Sequence, residues 1–341
     1  MISDFAVNHN EDVFLVINES YRDSKKKEKI ERFEMHCFKR ANNYTKEVVN
    51  IDIKGKEIIN CTMIPTVKNT VKLVGFYSSV RKSGRANREL KGVYNITVDA
   101  STSTTSTIKF NEFDYETKVK LIGERRAKKG KDVKPLYNIH TIIERNDGGL
   151  IVLSEYQEAV YGRSSGIGPL ALTSIVYVRN EIIVTAFKPD GSLDWSNVVP
   201  KEQKAATSTL SVNVFAGGYS GGNFGVGIGV GIPFAQMGKG PEYLGAIPMY
   251  NNGEFNILIN DHVKNRGIVD IEEIRSMGNY NKAIPSMFMF DDNGSITRKD
   301  PEQVKKKQLV IRPGVYYKKG DGEYIIYSSR RSKDRLGRMQ L

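Results

Sequence analysis

The sequence is poor in the residues that build metal and redox sites. Its 341 residues include two cysteines, Cys37 and Cys61, and four histidines. None of these has the Cys-x-x-Cys or Cys/His spacing of a structural zinc site, so we expect no metal and no cofactor. Both cysteines lie in strand-like segments. Two buried thiols are the main expectation, and a disulfide is the alternative.

Long apolar segments are also missing. No run reaches the roughly 18 apolar residues of a membrane-spanning helix. Met1 is not followed by the basic and apolar regions of a signal peptide. We therefore expect a soluble protein. Its cellular location is not predicted, because Met1 need not be the natural start.

Catalytic motifs are weak. The segment GYSGG at 218–222 lacks the strand–turn–helix setting of a nucleophile elbow, and SSGIGP at 164–169 lacks the Lys-Ser/Thr end of a phosphate loop. The histidines are scattered without ligand spacing. Several carboxylates are expected at turns, where Asx side chains cap backbone groups, namely Asp147, Asp190, Asp261, Asp291 and Asp292. Whether the protein is an enzyme stays uncertain, and we favour a non-catalytic role.

The chain is strongly basic, with 51 Lys and Arg against 39 Asp and Glu and a formal net charge of +12. The basic residues are concentrated in short tracts between apolar runs, which predicts solvated loop tips: Lys25–Lys27, Arg125–Lys129, Lys305–Lys307 and Arg330–Arg331. No aromatics are interleaved for base stacking, so nucleic acid is an unfavoured partner. An anionic surface or polymer remains an alternative.

Short apolar runs punctuated by Asn, Asp and Gly dominate the sequence and predict β-strands. They recur as units of up to four strands, whose second strands are predicted to begin near Val13, Val71, Leu150, Phe255 and Glu323. Such units arranged radially form a β-propeller, in which neighbouring sheets cover each other. We therefore predict one all-β propeller domain of about five four-stranded antiparallel blades, at 1–54, 55–115, 136–200, 243–308 and 309–341. The last unit has no obvious fourth strand, so the ring is either completed by the N-terminal region or left with a gap.

The third unit carries a family resemblance. Its segments DGGLIVLSEY and IIVTAFKPDGSLDW resemble blades that read D-G-G, strand, loop, strand, then D-x-D-G-x-x-x-W, although Pro189 is present and the first Asp is missing. Together with GFYSS and LKGVYNITVD in the second unit, the chain is similar to a family of uncharacterised bacterial cell-envelope β-propeller proteins. The resemblance implies a periplasmic or outer-membrane location if Met1 is not the natural start. It supplies no catalytic residues.

A glycine-rich insertion is predicted at 201–242, containing a β-hairpin over 211–236. One strand face would carry Phe224, Val226, Ile228, Val230, Ile232 and Phe234, with glycines between most of them. Glycine in a strand has no side chain to pack, so a glycine-rich face destabilises the strand unless another group packs against it. The alternatives are packing on another backbone, a linker, or presentation of the apolar face to a membrane surface or to another copy of the chain.

Two further residues are candidates for binding. Trp195, the single tryptophan, is expected between blades or as a sugar-stacking platform, and His262 is expected in a solvated loop or on a rim. The favoured function is a scaffold that binds a protein or glycan partner through rim loops such as 78–89 and 161–173. The alternatives are a glycan-active hydrolase or lyase with acids in a central channel, and a binder of anionic surfaces or polymers.

Overall fold

A computed structural model describes residues 2–22, 29–53, 55–80, 89–162, 165–167, 170–216, 226–236, 238–303, 309–320, 322–330 and 333–341. Within these residues the chain folds into five β-sheets and two short α-helices, which confirms the all-β prediction. Among them, no helix is long and apolar enough to cross a bilayer. The predicted basic tracts at 25–27 and 305–307 lie outside the described residues, as does Arg331.

The first sheet is a four-stranded meander in the order β1-β2-β3-β4, and each strand pairs antiparallel with the next. Its strands are β1 (Ile2–Val7), β2 (Val13–Arg22), β3 (Lys29–Phe38) and β4 (Lys46–Asn50). Alternate apolar residues such as Phe14, Met35 and Val49 point to one face and are buried there.

The second sheet contains five strands rather than the predicted four. They are β5 (Lys56–Ile58), β6 (Thr62–Pro65), β7 (Thr70–Ser79), β8 (Gly92–Asp99) and β9 (Thr104–Glu112), in the order β5-β7-β8-β9 with β6 also paired to β7. One hydrophobic core lies between this sheet and the first, and both cysteines belong to it. Cys37 and Cys61 are buried free thiols, so the disulfide alternative is wrong.

Two helices follow the second sheet, α1 (Tyr115–Ile122) and α2 (Glu124–Lys128). The Asp114 side chain caps α1 by accepting a hydrogen bond from the Thr117 N–H. The basic tract at 125–129 was predicted to be a loop tip. That prediction is wrong, because Arg125, Arg126 and Lys128 lie on α2, whose last turn favours positive charge.

The third sheet is the largest, with the order β10-β11-β13-β14-β15 and β12 paired to β13. Its strands are β10 (Tyr137–Glu144), β11 (Leu150–Tyr161), β12 (Ser165–Ile167), β13 (Leu170–Phe187), β14 (Leu193–Ala216) and β15 (Val226–Phe234). The predicted turn at 146–149 is present, with Gly148 at φ +85° and the Gly149 N–H bonded to the Asp147 carboxylate at 2.8 Å.

The glycine-rich region is not a separate insertion beginning at 201. Instead, β14 runs without a break for 24 residues through that boundary. Alternate residues after Pro200, namely Lys201, Gln203 and Ala205, are buried, which keeps the period of a strand. Residues 208–216 of β14 pair antiparallel with β15. The connection between the two strands, which includes Phe224, lies outside the described residues.

The fourth sheet is a meander of β16 (Ala246–Asn251), β17 (Glu254–His262), β18 (Ala283–Phe290) and β19 (Ile296–Lys299). The fifth has three strands, β20 (Val310–Gly320), β21 (Glu323–Arg330) and β22 (Lys333–Gln340). A shared core of residues such as Met249, Leu258 and Tyr324 lies between these two sheets. Four short 3-10 helices lie in connections of the described chain, at Arg40–Asn42, Pro241–Tyr243, Val263–Asn265 and Tyr280–Lys282.

The chain divides into two compact units. The first contains Met1–Ser154 and Ile183–Val198, and the second contains Glu155–Ile182 and Val199–Leu341. The first unit therefore holds the first two sheets and the beginning of the third. The second unit holds the glycine-rich strand pair and the last two sheets.

Candidate functional site

A polar cleft lies at one edge of the first two sheets, where their hairpin turns meet. We call it the turn-edge cleft. Its volume is about 620 Å³, and its lining residues are Asn10, Asp12, Lys39, Arg40, Ala41, Asn42, Asn69, Ala100 and Ser101. These residues come from the β1–β2, β3–β4, β6–β7 and β8–β9 connections. The predicted recognition loops at 78–89 and 161–173 lie partly outside the described residues, at 81–88, 163–164 and 168–169.

The turns around the cleft have unusual backbone conformations. Six non-glycine residues in the described chain have positive φ, and five of them lie in these turns: Glu11, Asn43, Tyr44, Asn69 and Ser103. A non-glycine residue in this region costs about 1–3 kcal/mol and persists only where the surrounding structure holds it. The concentration of such residues shows that the cleft walls are held in fixed shapes by their neighbours.

Amide and carboxylate groups join the turns of the two sheets. Asn8 Nδ2 donates to Asp12 Oδ2 at 3.0 Å and to Asn69 Oδ1 at 3.2 Å. The Arg40 N–H donates to Asp12 Oδ1 at 2.9 Å, and Asn69 Nδ2 donates to the Ser101 hydroxyl at 2.9 Å. Because these bonds link four different connections, the polar side chains of the cleft are positioned before any ligand arrives.

Lys39, which lines the cleft, forms an ion pair with Glu47 of β4. Lys39 Nζ lies 2.9 Å from Glu47 Oε2 and donates to the Ser101 carbonyl at 2.7 Å. The Ser103 hydroxyl also donates to Glu47. Hydrogen bonds from Ser103 and Lys39 lower the pKa of Glu47 to about 2. Glu47 is thus ionised at neutral pH and has no proton to give to a substrate.

The outer rim of the cleft carries a second, exposed pair. Arg40 Nη1 lies 2.8 Å from Glu11 Oε2, and both side chains are more than 60% exposed. An exposed pair of this kind contributes little to stability, so both groups are available to a ligand. The cleft as a whole offers amide donors and acceptors with balanced charge, an arrangement suited to binding a polar, hydroxyl-rich molecule.

Five of the six residues predicted for the apolar face of the glycine-rich hairpin lie on one strand. Val226, Ile228, Val230, Ile232 and Phe234 all lie on β15, at alternate positions paired with β14. The glycines between them pair with Ser211, Asn213 and Phe215 of β14. These residues belong to the second unit and are not part of the turn-edge cleft.

Trp195 and His262 are separate from the cleft and from each other. Trp195 lies on β14 in the first unit and is half-buried. His262 ends β17 in the second unit, where its Nδ1 accepts a hydrogen bond from the Lys264 N–H at 3.1 Å. Burial lowers the pKa of His262, with nearby cations acting in the same direction. His262 is thus a capping residue at a strand end rather than a free loop side chain.

The prediction that Asp261 occupies a turn is wrong. Asp261 lies inside β17, is 1% exposed, and pairs with Arg298 Nη2 at 2.9 Å. Burial raises the pKa of Asp261, and the Arg298 charge opposes that rise. Asp147, Asp190 and Asp291 cap turns as predicted, by accepting backbone N–H bonds, and Asp292 lies in the same turn as Asp291.

A buried ionic cluster lies in the second unit. Lys201 Nζ is 2.8 Å from Glu155 Oε1 and donates to the Arg179 carbonyl at 2.8 Å, while Arg179 Nη1 reaches Glu155 Oε2 at 3.0 Å. The Lys201 and Glu155 side chains are 0% and 1% exposed. Burial lowers the pKa of Lys201. The Lys201 ammonium is closed to solvent, whereas the Arg179 side chain is 37% exposed.

The sequence predictions missed the residues of the turn-edge cleft. Their signal was present as polar turn segments, NHNED at 8–12 and KRANNY at 39–44, but the pattern shows only that these are turns. Within the described part of the chain, no group of three or more His, Cys, Asp or Glu side chains is placed to hold a metal ion.

Comparison with models of known protein families gives no match, and comparison with curated proteins gives no significant match either. The geometry of the described residues is therefore the basis for inferring function.

Proposed function

We propose that the protein is a non-catalytic binding scaffold whose sheets are the blades of a β-propeller. Five sheets follow one another along the chain, and each is built from a consecutive segment. Within each unit, neighbouring sheets share a core: the first with the second, and the fourth with the fifth. Face-to-face packing of successive meanders is the way that propeller blades bury their apolar faces. The resemblance of the third unit to bacterial envelope propellers supports the same proposal.

The turn-edge cleft is the proposed binding site, and a glycan is the proposed ligand. Sugar hydroxyls need donors and acceptors at fixed positions, which the Asn10, Asn42 and Asn69 amides provide beside Lys39. Tyr44, in the same β3–β4 turn, is 45% exposed and offers an aromatic surface for a sugar ring. The observation that carries the proposal is that turns from two sheets are hydrogen-bonded to one another around one polar cleft.

A glycan-active enzyme is less well supported by this cleft. Glycoside hydrolysis uses one protonated and one ionised carboxyl group that converge on the bond to be cleaved. Glu47 is held ionised by Ser103 and Lys39, and both oxygens of Asp12 accept hydrogen bonds. These carboxylates are engaged in shaping the cleft.

The test is glycan binding by the full chain, first on a glycan array and then by calorimetry with the oligosaccharide that binds. Asn69→Gly removes the amide but keeps the left-handed turn, because glycine accepts the φ of +55° that Asn69 has. We expect at least a tenfold weaker affinity, because the variant loses the bonds by which the Asn69 amide holds Asn8 and Ser101 in place, at about 1–1.5 kcal/mol each.

Asn252→Gly is the matched control, since Asn252 has φ +47° in the β16–β17 turn and does not line the cleft. If the Asn69 and Asn252 variants bind the glycan with equal affinity, the cleft is not the binding site. Release of shortened oligosaccharides on prolonged incubation would favour the enzyme instead.

A further inference from the structure

Strand β15 is an edge strand that carries no charged residue. It ends the third sheet, so within the described chain one of its edges is paired with β14 and the other has no strand beside it. The other described edge strands longer than six residues all contain charged residues: β9, β10, β20 and β22. Charged residues on an edge strand prevent pairing with another chain. The free edge of β15 lacks that protection.

The end of β15 whose side chains are described is exposed on both faces. Ile232, Pro233 and Phe234 are consecutive, so their side chains alternate between the two faces of the strand. All three are exposed, Ile232 at 63% and Phe234 at 51%. Large apolar side chains beside a free edge favour association, because association removes them from water.

The sequence of β15 is nearly the same in both directions. From Val226 to Ile232 it reads V-G-I-G-V-G-I, with Gly229 at the centre. Two antiparallel copies related by a two-fold axis at Gly229 therefore pair β-branched residues with each other and glycines with each other. The pairs are Val226 with Ile232, Ile228 with Val230, and Gly227 with Gly231. β-Branched residues suit cross-strand pairs, so the strand is complementary to a second copy of itself.

Pro233 limits this ladder at one end. It has no N–H to donate, so pairing that continued past Ile232 would lose a hydrogen bond. Residues 226–232 lie entirely on one side of Pro233 and span about 23 Å at about 3.3 Å each. The two-fold axis at Gly229 is thus the arrangement that uses the strand and leaves the proline outside the ladder.

We propose that two copies of the chain form a symmetric dimer by antiparallel pairing of their β15 strands about a two-fold axis at Gly229. The pairing joins the third sheets of the two copies into one sheet, and the backbone groups on each free edge become hydrogen-bonded. Both copies use the same strand, so the interface is closed and the assembly ends at two chains rather than continuing into a fibre.

Cysteine crosslinking of the full chain tests the geometry. Gly229→Cys places the new cysteines of the two copies opposite each other, about 5 Å apart, within reach of a disulfide. Gly227→Cys is the matched control, because its two new thiols lie about 13 Å apart along the strands. The native Cys37 and Cys61 are buried. Under mild oxidation we expect a covalent dimer from Gly229→Cys, little from Gly227→Cys, and recovery of the dimer when Gly231→Cys is added to Gly227→Cys.

Analytical ultracentrifugation measures the dimer without a crosslink. We expect a concentration-dependent equilibrium between monomer and dimer. Ile228→Lys should weaken the dimer at least tenfold, because it places two ammonium groups in one ladder. Leu336→Lys is the matched control, since Leu336 is 73% exposed on β22, an edge strand that already carries charge. Unchanged circular dichroism spectra will show that the variants remain folded.

Four results would overturn the proposal. A chain that stays monomeric at every concentration measured excludes the dimer, and a monomer that floats with lipid vesicles identifies a membrane surface as the occupant of the edge. Equal crosslinking of Gly227→Cys and Gly229→Cys excludes the two-fold axis. Equal dimer dissociation constants for the Ile228 and Leu336 variants exclude β15 as the interface. None of these measurements contains a glycan, so failure of this proposal is distinguishable from failure of the proposed function.

Discussion

Lys201 allows a quantitative test of how the second unit is stabilised. Its side chain is 0% exposed, and its ammonium lies 2.8 Å from Glu155 Oε1. Lys201→Met keeps most of the aliphatic volume but removes the charge that faces Oε1 of a carboxylate that is itself 1% exposed. Removing one partner of a buried ion pair costs about 3–5 kcal/mol. We expect the lower end of that range, because Arg179 Nη1 still lies 3.0 Å from Glu155 Oε2 after the change.

The same strand supplies the control. Lys204 lies three residues further along β14, is 48% exposed, and pairs with Glu202 at 2.8 Å. Lys204→Met breaks an exposed pair and should cost less than about 1 kcal/mol. The double change Glu155→Met with Lys201→Met removes both buried charges, so it should be less destabilising than Lys201→Met alone.

Urea unfolding followed by far-ultraviolet circular dichroism measures these differences as shifts in the free energy of unfolding. The reasoning fails if Lys201→Met costs no more than Lys204→Met. It also fails if the double variant is less stable than the Lys201 variant, since the penalty then would not come from the lost charge opposite Glu155 Oε1.

Three further predictions concern single sites. Glu47→Gln should flatten the acid limb of the stability curve between about pH 4.5 and 2, because the folded pKa of Glu47 lies below its ordinary value and the stability it contributes is lost as pH falls through about 2. Gly75→Ala should destabilise by about 3 kcal/mol in urea unfolding, because an added Cβ would meet the Asn60 carbonyl oxygen within the sheet. His262 should titrate below pH 6.5 by nuclear magnetic resonance, and its contribution to stability should be lost as pH falls from about 6.5 through its folded pKa.

Local patterns in the sequence determine much of the strand layout. The second strands of the five sheets begin at or within one residue of the predicted starts: Val13, Thr70, Leu150, Glu254 and Glu323. The turn at 146–149 forms as predicted, because Asp147 and Gly148 satisfy the turn whatever surrounds it. Alternation and turn chemistry are short-range properties, so they can be read from a single segment.

The length of β14 shows the limit of segment-by-segment prediction. A boundary was expected after Pro200, but the strand continues to Ala216, and just past that boundary Gln203 is bridged to Met277, far along the chain. Likewise, Asp261 has the sequence context of a turn residue but is buried in β17 beside Arg298. In each case a partner distant in sequence overrides the local preference.

The sequence by itself determined that this protein is built from short strands in successive sheets, because hydrophobic alternation and Asx-Gly turns act over a few residues. It also determined that one charge-free segment carries alternating aliphatic residues and glycines. Only the tertiary structure decided which polar turns meet in one cleft and which ions are buried as pairs. Those outcomes depend on contacts between residues far apart in the chain, whose energies arise only once the sheets have packed.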